Sequence, residues 1–357
     1  MKYNLVILPG DGIGPEVMQE GIKVLKRIEE IFSHKFELQY EKAGGAAIDS
    51  YGVPLPDQTL NSCKQADAVL KGPMGGPKWD QLENKLRPEA GILGLRKELG
   101  LFANLRPIKL YEPLKDASTL KPEVINGIDL LIVRELVSGI YFGEPRGIFG
   151  EGENKYGVNT EIYRTGEVSQ VVRLSCELAR ARRKKLTSID KFNVLESSRL
   201  WHDVAAEVSK NFQDVQFEHQ IVDNAAMQLI RNPKQYDVLV TTNMFGDILS
   251  DEASMLTGSL GMLPSASLGG EVALYEPAGG AAPDIAGQNK ANPLAMILSI
   301  SMMLKYSFHL DRESLLIEQA VDKVLRQGFK TADLTNSKER SVSCIEMGDL
   351  ITKEIVG

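Results

Sequence analysis

The chain has 357 residues, 43% hydrophobic and 25% charged, with a formal net charge of -7 and a pI near 5.4. That is the composition of a globular protein, and the length favours two domains, because single cores rarely grow past about 250–300 residues. The acidic balance excludes a general nucleic-acid binder, which needs a basic face, and any anionic ligand must be gripped by a local arginine cluster.

In chain order, the first apolar run, Asn4–Leu8, reads as a buried strand ending in PGDGIGPE. It is too short for the apolar core of a signal peptide. A helix is expected from Pro15 to Ile31, with proline at its first turn. Further strands are expected at Phe36–Tyr40, Ala66–Leu70, Leu130–Val133, Val215–Val222 and Val238–Thr241. KYGVNTEIYR (155–164) alternates like an exposed strand and leads into a helix over Gly166–Arg183. The C-terminal stretch from Asn292 reads as mostly helical. Strands alternating with helices indicate an α/β fold with a largely parallel sheet. No apolar stretch reaches the ~18 residues of a membrane span. Cys63, Cys176 and Cys344 are odd in number and far apart, so neither a disulfide framework nor a zinc site is supported. A reducing, cytoplasmic setting is expected.

Asp247 and Asp251 lie in NMFGDILSDEAS, after the strand-like YDVLV, with a helix expected to begin at Gly246. Carboxylates at i and i+4 share a helical face and suit Mg²⁺ or Mn²⁺, which take hard oxygen ligands. On spacing alone, two solvated acids in a first helical turn are the commoner explanation. Arg134 ends an apolar strand, Arg106 precedes a proline at the end of another run, and Arg96 lies in GILGLRKELG. Convergent guanidinium groups at strand ends would clamp a dicarboxylate, although any one arginine is more often plain surface charge. Tyr141, in GIYFGEPRG, and Lys191, before an expected short strand, are candidate acid–base groups. There is no GxGxxG; GDGIG has a different spacing. The glycine-rich EPAGGAAPDIAGQNKANP opens on Glu276 and carries Asp284 within it, which could bind ribose hydroxyls and repel a 2′-phosphate, favouring NAD over NADP. The four histidines show no ligand spacing, and His202 and His219 are expected at the surface or in structural hydrogen bonds.

In this order, the motifs resemble the isocitrate/isopropylmalate dehydrogenase family of β-decarboxylating dehydrogenases. The match runs from LPGDGIGPEV to ANPLAMILS, with NMFGDILSDEASMLTGSLG resembling the family signature. The resemblance implies a non-Rossmann, two-domain α/β fold: residues 1–99 plus 252–357 on the cofactor side, and 100–251 carrying the dimer interface. It implies NAD and one Mg²⁺ or Mn²⁺ per site, in a homodimer with shared active sites. Carried over by position, Tyr141 and Lys191 resemble the catalytic pair. Arg96, Arg106 and Arg134 resemble the carboxylate clamp, and Asp223, Asp247 and Asp251 the metal ligands. Gly76, Pro77, Lys78, Trp79, Asp80 and Glu89 resemble one half of the cofactor site. Ala281, Ala282, Pro283, Asp284, Ile285, Ala286, Gly287, Asn292 and Pro293 resemble the other. Lys191 and Asp223 are implied to reach into the partner's site.

Within the family, GGPKWD, RPEAGILGLRKELGLFANLRP, RELVSGIYFGEPRG and DKFNVLESSRLW point to 3-isopropylmalate as substrate. Glu89, Ile92 and Leu93, with Val194 and Asp223, occupy substrate positions. Burying a third carboxylate against Ile92 and Leu93 would be costly, whereas an isopropyl group is welcome there. Val137, Ser138, Ile92, Phe192 and Gly279 depart from the commonest family pattern. D-malate/tartrate and homoisocitrate dehydrogenases use the same scaffold, and a non-catalytic regulatory subunit is the alternative from another class. Tyr141, Lys191 and the three aspartates together argue against the last.

Overall fold

A computed structural model describes residues 1–335 and 341–356. It divides into two compact units: residues 1–101, 110–122 and 254–357 form the first, and 102–109 with 123–253 the second. Residues 110–122, which the sequence reading leaves in the second unit, pack with the first. In chain order, the strands are β1 (Lys2–Leu8), β2 (Lys35–Tyr40), β3 (Ala68–Lys71), β4 (Ala103–Lys109), β5 (Asp129–Glu135), β6 (Gly143–Phe149), β7 (Tyr156–Thr160), β8 (Lys185–Asp190), β9 (Gln216–Ile221), β10 (Val238–Thr241), β11 (Pro264–Leu268) and β12 (Ala273–Pro277).

In the first unit the strand order is β2-β1-β3-β12-β11, with only β11–β12 antiparallel. The buried LVIL of β1 is the continuous apolar run that a strand covered on both faces requires. The helix Gly14–Phe32 has proline in its first turn and buries Val17, Met18, Ile22, Val24, Leu25 and Ile28 on one stripe. The helix Leu294–Tyr306 is buried continuously from Leu294 to Leu304, as its near absence of polar residues dictates.

In the second unit the order is β4-β5-β10-β8-β9, with β4–β5 antiparallel and the other pairings parallel. The parallel strands β5, β10, β8 and β9 therefore end at one edge. The chain leaves that edge as the Tyr141 loop after β5, as the helix Asn243–Ser254 after β10, at Lys191 after β8, and as the helix Val222–Arg231 after β9. Ligand sites of open α/β sheets form at this edge. The separate hairpin β6–β7 exposes Ile148, Phe149 and Tyr156.

Four local expectations are corrected. The helix carrying Asp247 begins at Asn243 rather than Gly246, because glycine here serves packing rather than chain reversal. Lys191 follows a strand instead of preceding one: β8 is buried although it reads KLTSID, and its Thr187 and Ser188 hide it from a hydrophobic scan. Arg106 sits inside β4, opposite Ile132, not at a strand end. The run at 215–222 is a strand only to Ile221, and Val222 opens the helix bearing Asp223. Among the described residues no helix is long and apolar enough to cross a membrane. All three cysteines are free and buried, and burial pushes their thiols up to about 11 (Cys176) and about 12 (Cys63, Cys344), which makes them unreactive.

Candidate active site

The second unit gathers Arg106, Arg134, Tyr141, Asp247 and Asp251 at the strand edge. Residues 134 and 104 are register partners across β5 and β4. The Arg134 Nε and Nη2 donate to Asn243 Oδ1 at 3.0 and 2.8 Å, and Nη1 bonds Asp247 Oδ1. Asn243 is fixed in turn: its N–H donates to Tyr163 Oη at 2.9 Å and its side-chain amide to the Ser138 carbonyl at 3.2 Å. Gly246 lets the arginine lie against the helix, since a Cβ there would stand 2.7 Å from the Arg134 side chain. Arg106 donates to Asn104 Oδ1 (2.8 Å), Ser250 Oγ (2.6 Å) and Asp251 Oδ1 (3.1 Å), and stands 3.5 Å from Asp247.

Both guanidinium groups are buried, whereas the Asp247 and Asp251 side chains are 36% and 55% exposed. Two cations and two anions thus neutralise one another, with the carboxylates on the solvent side. Burial, and then the neighbouring Asp247, push the Asp251 carboxyl up, while Arg106 opposes them. These are hard, adjacent, accessible oxygen donors, and they fit Mg²⁺ or Mn²⁺. Tyr141 is half-buried, and its hydroxyl donates to Asp247 Oδ2 at 3.2 Å. Burial and the Asp247 charge raise its pKa, so it stays protonated at neutral pH and can give a proton.

Lys191 and Asp223 form an ion pair with each other. Among the described residues, the only three acids, histidines or cysteines whose ligand atoms all lie within 4.8 Å are Asp190, His202 and His219. Asp223 therefore does not join Asp247 and Asp251 within one chain. Val194, in the turn after Lys191, is exposed.

The remaining candidates lie in the first unit. The helix Pro88–Glu98 carries Glu89, Ile92, Leu93 and Arg96 at a spacing that puts them on one face. Ile92 and Leu93 are half-buried and Glu89 is exposed. Arg96 is buried and bonds Glu276 at 3.0 Å, and Lys71 reaches the same carboxylate at 2.5 Å. Burial opposes the Glu276 charge, but Lys71 and Arg96 outweigh it and hold the carboxyl down at about 2. Arg96 Nε is buried with no hydrogen-bond partner. The sequence reading missed Lys71 and Glu276. Glu276 opens the very EPAGG run that was singled out, and a carboxylate inside a strand was the available signal.

A cavity of about 250 Å³ opens beside the GDGIG loop and the 278–293 segment. Of the expected cofactor residues, Ala282, Ile285 and Asn292 line it. Lys290, inside the segment expected to hold the cofactor, lines it too, as do Ile13, Gly261 and Asp333, which the sequence reading missed. Asp333 is held by Asn292 Nδ2 at 3.0 Å and by Ser259 Oγ. Asp284 is exposed, with Pro283 and Gly287, and does not line the cavity. Ala281, Ala286 and Pro293 belong to the same turn without lining it. Gly12 explains the interlock with this turn: at φ 56° it approaches Ala281 so closely that a Cβ would stand 2.0 Å from its carbonyl oxygen. Residues Gly76–Asp80 lie away from the cavity lining. The Lys78 ammonium and Trp79 indole both bond Asp49, at 2.6 and 3.1 Å. Asp11 ties this loop down, accepting from Gly45, Ala46 and Gly75 N–H at 2.8–2.9 Å.

A family model described as isocitrate/isopropylmalate dehydrogenase matches residues 4–351. A 3-isopropylmalate dehydrogenase of Halalkalibacterium halodurans is 57% identical over 356 residues, covering 99% of this chain and 98% of that protein. One of Aquifex aeolicus is 53% identical over 354 residues, covering 99% and 95%. The crystal structure of isocitrate dehydrogenase from Methylococcus capsulatus is similar at a TM-score of 0.89 and 33% identity, covering 99% of both chains. With the α/β fold, the arginine–aspartate cluster and the full-length matches agreeing, the chain belongs to the isocitrate/isopropylmalate dehydrogenase family.

Proposed function

We propose that the chain oxidises and decarboxylates (2R,3S)-3-isopropylmalate to 4-methyl-2-oxopentanoate and CO₂, with NAD⁺ as acceptor, in leucine biosynthesis. Curated relatives at 53–58% identity bear the name 3-isopropylmalate dehydrogenase. The observation that carries the substrate choice is the face of the helix Pro88–Glu98, where half-buried Ile92 and Leu93 stand beside Arg96. An apolar branch at C3 gains by covering these side chains, whereas a third carboxylate would be desolvated against them.

Arg106 and Arg134 hold substrate carboxylates through charge-assisted bonds. A divalent ion held by Asp247 and Asp251, and by Asp223 of a second copy, would polarise the C2 oxygen and spread the charge that develops there. NAD⁺ would take the C2 hydride, with Ala282, Ile285 and Asn292 offering it small, apolar and amide side chains. Lys191 takes the C2 hydroxyl proton, directly or through water, as the neutral amine it becomes once it has left the Asp223 pair and given its own proton to solvent. Its pairing with Asp223 keeps the two side chains together, so one copy delivers both. Tyr141, protonated and bonded to Asp247, gives its proton to the carbon that has lost CO₂. Exposed Met227 and Ile230 on the helix 222–231 and Ile248 on the helix 243–254 supply apolar surface for the dimer. The exposed hairpin residues Ile148, Phe149 and Tyr156 can add to it.

The test is a substrate panel on the purified chain with NAD⁺ and Mn²⁺. 3-Isopropylmalate should give the highest kcat/KM by at least tenfold over D-malate, tartrate, homoisocitrate and isocitrate. A higher value for any of these would overturn the substrate assignment, and no turnover at all would favour a regulatory subunit.

A further inference from the structure

A second cluster lies in the second unit, built by β8, the helix Glu196–Ser209 and β9. Asp190, at the end of β8, is 1% exposed. Its Oδ1 accepts from the Phe192 N–H at 3.0 Å, while its Oδ2 has no hydrogen-bond partner. His202 Nδ1 stands 3.5 Å from that oxygen and His219 Nδ1 stands 3.7 Å from it. Neither His202 Nδ1 nor either nitrogen of His219 has a hydrogen-bond partner. The two imidazoles stack at 3.6 Å, and Phe192 and Phe217 close the sides at 4.3 and 4.8 Å. Four unpaired polar atoms in one buried spot are costly, since each forgoes its bonds to water. Buried groups of this kind call for a bound partner.

The geometry points to a binding site for one borderline divalent transition ion, of the Zn²⁺, Co²⁺ or Ni²⁺ class, held by Asp190, His202 and His219. Metal–ligand bonds of about 2.0–2.1 Å in a tetrahedron set ligand atoms roughly 3.3 Å apart. The observed 3.5 and 3.7 Å need only a small contraction, and all three ligand atoms already lie within 4.8 Å of one another. Binding turns the two rings out of their stack, so that both lone pairs aim at one point. Burial, with the neighbouring His202, holds the His219 pKa down at about 4, so its imidazole is neutral and ready to ligate at neutral pH. Two imidazoles and a carboxylate prefer these metals to Mg²⁺ or Mn²⁺. The site is therefore chemically separate from the all-carboxylate pair Asp247 and Asp251. A water can fill the fourth position, because His202 and His219 keep part of their side chains exposed.

The experiment uses untagged, chelator-stripped protein in excess Mg²⁺, which competes for the carboxylate pair. Titration with Co²⁺ should give one equivalent per chain with the intense visible bands of tetrahedral coordination, and Zn²⁺ should displace it. His202→Gln and His219→Gln should each weaken binding at least tenfold, whereas Asp247→Asn should leave it unchanged. As a check independent of any variant, Zn²⁺ should shift the ring-nitrogen NMR signals of two of the four histidines in the wild-type chain. No Co²⁺ uptake in excess Mg²⁺, undiminished affinity in a folded histidine variant, or unmoved histidine signals would each overturn the assignment.

Discussion

Replacing Glu276 by glutamine removes the one anion that lies between Lys71 and Arg96. All three side chains are at most 10% exposed, so water cannot replace the lost charge. The magnitude follows by two routes. The Glu276 carboxyl sits at about 2 against an ordinary 4.5; at about 1.4 kcal/mol per pKa unit, that corresponds to roughly 3 kcal/mol. Breaking a buried ion pair by removing one partner costs about 3–5 kcal/mol in general. Because the folded pKa is depressed, this stabilisation is complete above pH ~4.5 and is lost as pH falls towards about 2. The comparison therefore belongs at neutral pH.

Glu276→Gln should lose about 3 kcal/mol in urea unfolding at pH 7 and lower Tm by about 6–12 °C, using ~2–4 °C per kcal/mol for a domain of this size. It should also raise KM for substrate, because Arg96 loses its fixed partner. Adding Lys71→Met removes the second stranded cation, and the double variant should recover part of the loss, with a coupling of about 1–3 kcal/mol. A loss below about 1 kcal/mol, or a double variant whose losses simply add, would refute the argument that a mutually dependent buried triad holds Arg96.

Asp247→Asn should leave the fold intact while weakening Mn²⁺ binding and lowering kcat by at least tenfold; normal turnover at micromolar Mn²⁺ would remove Asp247 from the metal site. Tyr141→Phe should slow decarboxylation of the oxidised intermediate more than hydride transfer; equal loss of both would deny it the proton-donor role. Glu135 is fully buried, and burial lifts its carboxyl to about 7 against the hydrogen bonds from Val137 and Ser138 N–H. A raised folded pKa means that its contribution is complete below pH ~4.5 and is lost as pH climbs through about 7. The wild type should therefore lose about 2–3 kcal/mol between pH 5 and pH 8 that Glu135→Gln does not lose, measured by denaturant unfolding.

The strands richest in aliphatics, such as LVIL in β1 and VLVT in β10, were legible in the sequence because their burial is written as continuous apolar runs. β8 and β4 were not. KLTSID buries Thr187 and Ser188, and Thr187 bonds Glu218 at 2.8 Å while the Trp201 indole bonds Ser188 at 3.1 Å. ANLRPIK buries Asn104 and Arg106 on hydrogen bonds to each other and to the helix 243–254. Buried polar strands depend on partners far away in sequence, and no local pattern announces them. The Asp190–His202–His219 cluster stayed hidden for the same reason, since its members come from three elements joined only by the sheet.

The ambiguity of Asp247 and Asp251 in the sequence has a physical resolution in their partners. Two acids one helical turn apart repel, and here Arg106 and Arg134 cancel that repulsion from below while leaving the outer oxygens exposed. The cluster is neutral as it stands. A dicarboxylate alone would add two negative charges, and a divalent ion alone two positive charges, each leaving a half-buried imbalance. Together they would add none: on the proposed reading the arginines turn to the substrate and the aspartates to the ion. On the proposed reading, the same four residues would favour joint occupation by substrate and metal, so discrimination among malate derivatives would fall to groups outside the cluster.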